Sequence, residues 1–165
     1  MRRFCGLLLS FCFLASAQDK PARKALSAFP DNGFQFAGTW DCAGTFGNGK
    51  THKALFTGTT ILAGKWLELT ERGIEPETGY LAKYLIGYDS EHSRLVEFDA
   101  NNFGAVMYTT DEGWQNQVLT MTDNTSRFVY SVTGTDSFTV DWQARKTADS
   151  KWMSGDHLVC KHSMR

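Results

Sequence analysis

Ten short runs of β-forming residues, each ended by a tight-turn sequence, fill the chain from about residue 36 to residue 162, and no long helical stretch interrupts them. Such even spacing predicts an all-β fold, a closed antiparallel up-and-down barrel of about ten strands. A two-sheet sandwich is the alternative, and the near absence of long crossover loops favours the barrel. The runs read as strands at 36–46, 51–61, 65–72, 80–88, 94–99, 103–110, 117–122, 127–132 and 137–145, with a last strand ending near residue 161. Between the first two lies Gly47-Asn48-Gly49-Lys50, in which Asn-Gly supplies the positive φ of a hairpin turn.

Alternation assigns faces within these runs. Phe138, Val140, Trp142 and Ala144 share one side of strand nine; Gly38, Trp40, Cys42, Gly44 and Phe46 share one side of strand one. Leu158 and Cys160 share a face of the last strand. Strand three is ambiguous, because Trp66, Glu68 and Thr70 oppose Leu67 and Leu69. If the first set points inward, a carboxylate sits inside the barrel.

The chain opens with Arg2 and Arg3, an apolar stretch from 4 to 14, and Ala15-Ser16-Ala17. This is the grammar of a signal peptide over residues 1–17, with cleavage before Gln18. The apolar stretch is too short to span a bilayer, which needs about 20 residues. Export to the periplasm or outside the cell is the expectation, with a leader or short helix over 18–35 and the barrel domain over 36–162. Within that leader, residues 22–29 read either as one or two helical turns lidding a barrel end or as a disordered segment.

Cleavage leaves 148 residues, enough for a single domain with a real core, and removes two basic residues and no acidic ones, so the net charge moves from −1 to −3. No basic block points to nucleic acid and no amphipathic helix points to a membrane surface; a monomer is expected. The remaining cysteines, Cys42 and Cys160, are an even pair in an exported chain, which reads as a disulfide. They lie on the first and last strands, which barrel closure makes neighbours.

Gly38-Thr39-Trp40 resembles the Gly-x-Trp signature of the calycins, the lipocalins, fatty-acid-binding proteins and nitrobindins. The fuller set, Gly38-Thr39-Trp40-Asp41-Cys42-Ala43-Gly44, then Gly64-Lys65-Trp66, then Asn102-Phe103-Gly104, resembles an exported bacterial family known as domain of unknown function 1579. The resemblance covers about residues 34–162 and implies a calycin-like barrel without an established activity. It also implies that Trp40 packs at a closed barrel end; in lipocalins a basic residue covers that Trp, and no residue of this sequence is assignable as its partner.

A ten-strand barrel is wider than the eight-strand kind that just holds its own side chains or one small ligand. Beyond residue 17 the chain carries five Trp, five Tyr and nine Phe. Inward-facing aromatics with a few polar anchors describe a site for a small, largely apolar molecule. Trp66 and Trp142 are the expected contacts, with Tyr84, Tyr108 and Tyr130 as polar-tipped neighbours and Glu68 as an anchor. The competing reading is an enzyme using Glu68 as acid or base. No nucleophile elbow or phosphate loop accompanies it. His52, at the start of strand two, and His92, in a turn, read as exposed. His-x-His and Cys-x-x-Cys spacings are absent, so no metal site is expected. No cofactor is expected either. Haem enters only through the resemblance of Asp156-His157-Leu158 to the haem-bearing last strand of nitrobindins, and His157 has opposite parity to the inward Leu158 and Cys160.

Overall fold

A computed structural model describes residues 25–163. Ten strands follow one another: β1 Gly38–Phe46, β2 Thr51–Ile61, β3 Trp66–Glu75, β4 Leu81–Asp89, β5 Arg94–Asn101, β6 Gly104–Thr110, β7 Val118–Thr122, β8 Ser126–Val132, β9 Ser137–Ala144 and β10 Met153–His162. Each pairs antiparallel with its sequence neighbours, and β10 returns to β1, so the sheet is a closed barrel without edges. The described residues contain no helix. The expected signal peptide and the first part of the expected helix fall outside them; residues 25–29 run as non-helical chain.

Closure brings Cys42 directly opposite Cys160, and the two form a disulfide joining positions 118 residues apart. The weakest seam is β6 against β7, where a single register pair, Thr109 with Thr122, holds the wall. The chain between them folds away through Gly113 and Trp114 to meet the N-terminal segment.

The two barrel ends differ. At the end where β1 begins and β10 finishes, Phe34, Phe36, Trp40 and Phe138 pack in mutual ring contacts, with Trp40 and Phe138 at 4.9 Å between centroids and nearly perpendicular. The buried indole of Trp40 donates to the Phe36 carbonyl at 2.9 Å, so its one polar atom is satisfied. Trp114 donates likewise to the Ala28 carbonyl at 3.1 Å, pinning the N-terminal segment across this end. Each fully buried Phe here contributes roughly 1.5–3 kcal/mol of transfer free energy. Gly38 has φ 114°, a conformation that favours glycine, and the His162 ring lies against it. That same ring meets Trp40 edge-on at 4.9 Å, so His162 covers the indole that the sequence left without a basic partner.

The opposite end stays open. Phe46, the β3–β4 loop, Asn101, Phe103 and Gly155 surround a cavity of about 590 Å³ there.

Candidate functional site

Strand parity builds the cavity. On β2, His52 follows the inward sequence of Ala54 and Phe56; on β3, Glu71 follows Leu67 and Leu69; on β4, Tyr84 stands between Ala82 and Ile86. On β5, Leu95, Glu97 and Asp99 point in together. The last inward positions before the mouth are therefore polar on several strands, while the positions beneath them are apolar except at Glu97 on β5. Aromatic rings of Phe46, Tyr80, Phe103, Phe128 and Trp142 form much of the wall. Phe103 is 81 % exposed and stacks on Tyr80 at 6.1 Å, making one lip of the mouth.

Trp142 and Asp156 owe their placement to one irregularity. The register of β10 against β9 shifts between Ser154 and Asp156, and Gly155 occupies the bulge. A Cβ on Gly155 would lie 2.2 Å from Cε3 of Trp142, so the indole rests directly on the glycine backbone. Beyond the bulge, Asp156 falls into step with Leu158 and Cys160 and faces inward.

A polar chain crosses the floor. His52 Nδ1 donates to Asp156 Oδ2 at 2.8 Å, and its Nε2 faces Glu71 Oε1 at 3.7 Å. The imidazole stacks on Phe46, centroids 4.3 Å apart. The Tyr84 hydroxyl donates to Glu71 Oε2 at 2.6 Å. One inward position deeper, the Tyr130 hydroxyl donates to Glu97 Oε1 at 2.7 Å, and Glu97 Oε2 meets no partner among the described residues. Near β6, Ser126 Oγ donates to the Tyr108 hydroxyl at 3.1 Å.

Burial sets the protonation of these groups, because desolvation disfavours the charged form. It raises the Glu71 carboxyl from its ordinary 4.5 to about 7, against the lowering pull of the Tyr84 hydroxyl and of His52. It raises Glu97 from 4.5 to about 8, against the Tyr130 hydrogen bond. Asp99 is also raised by burial, opposed by the Asn101 side chain. Burial and the neighbouring carboxyls push Tyr84 and Tyr130 well above 10, so both phenols stay neutral donors. The floor can therefore both give and accept protons near neutral pH. Among the described residues no three His, Cys, Asp or Glu side chains group in a way that would hold a metal ion.

Of the residues expected from the sequence to meet a ligand, Tyr84, Tyr108 and Trp142 line the cavity, and Tyr130 lies buried beneath it. Trp66 and Glu68 do not line it. The ambiguity on β3 resolves with Leu67, Leu69 and Glu71 inside, because burying that apolar pair outweighs burying one indole beside a carboxylate. Trp66 instead stacks on Phe98 at 6.4 Å on the outer surface, and Glu68 pairs with Lys83 at 3.1 Å. The interior carboxylate exists, but it is Glu71. His157 also faces outward, donating from Nδ1 to Asp141 at 2.7 Å. The expectation that His52 is exposed is corrected: it is 5 % exposed, held by Asp156 and Phe46. Its parity with Ala54 and Phe56 carried that signal, as did the parity of Glu71 with Leu67 and Leu69.

No protein-family model matches the chain. No curated protein matches it either. The closed ten-strand antiparallel barrel is consistent with a calycin-like fold.

Proposed function

We propose that this is an exported, non-catalytic barrel that takes a small, largely apolar molecule into its lumen through the open end, in the periplasm or outside the cell. The observation that carries the reading is the cavity of about 590 Å³, walled by aromatic rings, open at one end and sealed at the other by the Trp40 cluster. A volume in this range suits one small ligand, and a few polar side chains at the floor suit its orientation. The Cys42–Cys160 disulfide is compatible with an oxidising compartment, as is the signal-like sequence of residues 1–17. The residues resembling the calycins agree with a barrel of this shape.

Titration with the neutral dye Nile red tests this. One saturable site is expected, weakened on the order of tenfold or more by Val106→Trp, which fills the mouth, and unchanged by Phe98→Ala on the outer wall. Absence of saturation, or indifference to Val106→Trp, overturns the reading. Native mass spectrometry of protein from its own host would then identify what occupies the lumen.

One observation favours a second reading, an acid–base enzyme. Asp156 holds His52 so that Nε2 faces the cavity beside Glu71, the relation of an orienting carboxylate to a general base. Its residues are His52, Asp156 and Glu71 rather than Glu68. Turnover of p-nitrophenyl acetate that depends on His52 supports it, and turnover unchanged in His52→Ala removes it.

A further inference from the structure

The apolar walls leave open what the floor recognises, and its charge pattern is one-sided. Three carboxyl side chains, Glu71, Asp99 and Asp156, line the cavity, and among the described residues no lysine or arginine does. The one side chain there able to carry positive charge, His52, is already engaged, at 2.8 Å from Asp156 and 3.7 Å from Glu71. Acceptors remain in surplus. Glu71 is 4 % exposed; its Oε2 accepts from the Tyr84 hydroxyl, and its Oε1 stands 3.7 Å from His52 Nε2. Among the described residues, Oδ1 of Asp156 is buried without a partner, and Asp99 receives only the Asn101 amide, at 3.2 Å.

Buried acceptors in excess of donors represent unpaid desolvation that a donor-rich ligand relieves. A protonated amine brings three donors and the complementary charge. The rings of Phe128 and Trp142, on the same cavity wall, add the favourable face of an aromatic quadrupole to a cation. A ligand carboxylate would instead meet three carboxyls with no free cation to receive it.

We propose that the floor of the cavity recognises the protonated amine of a small, largely apolar amine and rejects a carboxylate on the same apolar body. This rests on the lumen being a ligand site.

Three matched probes separate the two questions: 4-phenylbutylamine, 4-phenylbutan-1-ol and 4-phenylbutanoate, titrated calorimetrically into the disulfide-bonded protein at pH 8, where Glu71, with its pKa of about 7, is mostly ionised. The amine is expected to bind at least about tenfold more tightly than the alcohol, the free-energy equivalent of one charge-assisted hydrogen bond. The carboxylate is expected to bind most weakly. Glu71→Gln narrows the gap between amine and alcohol, and Asp99→Asn acts in the same direction. Equal affinity for all three overturns amine recognition while the lumen remains a binding site. Tightest binding of the carboxylate also overturns it. Binding of none of them removes the lumen-binding reading and this inference together.

Discussion

Glu97 is a carboxyl whose chemistry departs far from its ordinary state. It is fully buried, accepts one hydrogen bond from Tyr130 and leaves its second oxygen unpartnered among the described residues. Its carboxyl in the folded barrel is raised to about 8, against 4.5 when exposed, so the folded state holds a proton that the unfolded chain releases. Stability from this group is complete below about pH 4.5, declines as pH rises and is gone above about 8; Glu71 adds the same sign up to about 7. Calorimetry from pH 5 to 9 should show melting temperature falling, with the Glu97 share on the order of a few kcal/mol. Glu97→Gln should flatten that fall; a variant with the wild-type slope would contradict the assignment. At this scale the sequence was only partly legible. Period-2 alternation places His52, Glu71 and Glu97 inside, yet each is a polar type that residue chemistry alone assigns to solvent. What reverses the assignment is partnership across the lumen, His52 with Asp156 and Glu97 with Tyr130, between strands far apart in the chain.

Among the elements, β10 does most to shape the site. Its bulge at Gly155 lets the Trp142 ring lie on the backbone and turns Asp156 toward His52. Gly155→Ala must displace the ring or the strand, and overpacking of this kind costs about 1–3 kcal/mol. The variant should melt lower and bind Nile red less tightly; wild-type values for both would show that the bulge does not position Trp142. The strands themselves were legible because short β-forming runs alternate with turn residues, and β2 begins and ends where the sequence placed it. The interval from Asp111 to Asn116 was legible only as a turn, at Asp111-Glu112-Gly113, leading to the next strand. Its role as a plug arises from the Trp114 hydrogen bond to Ala28, a contact between residues 86 apart.

The whole molecule is a cylinder closed by one covalent pair and sealed at one end. Cys42 and Cys160 clamp the seam between β1 and β10, and removing so long a loop constraint costs about 4–5 kcal/mol in the chain-entropy picture. Reduction should therefore lower the denaturant midpoint substantially; an unchanged midpoint would mean that the β1–β10 ladder closes the barrel unaided. Closure was legible from the positions of the cysteines, and the resemblance to calycins agreed with it. The closed end was legible only through that resemblance, which puts Trp40 there; the Trp114 contact that pins the N-terminal segment across it was not. The open lumen as the ligand site is the central claim, and the five tryptophans report on it separately. Trp142 lines the cavity, Trp40 and Trp114 seal the far end, Trp66 lies against the outer wall, and Trp152 sits between the guanidinium groups of Arg127 and Arg145. In a ¹H–¹⁵N spectrum titrated with 4-phenylbutan-1-ol, the indole resonance of Trp142 should move to saturation while those of Trp66 and Trp152 stay in place. A Trp142 resonance that does not move, or movement confined to Trp66 and Trp152, would contradict the account.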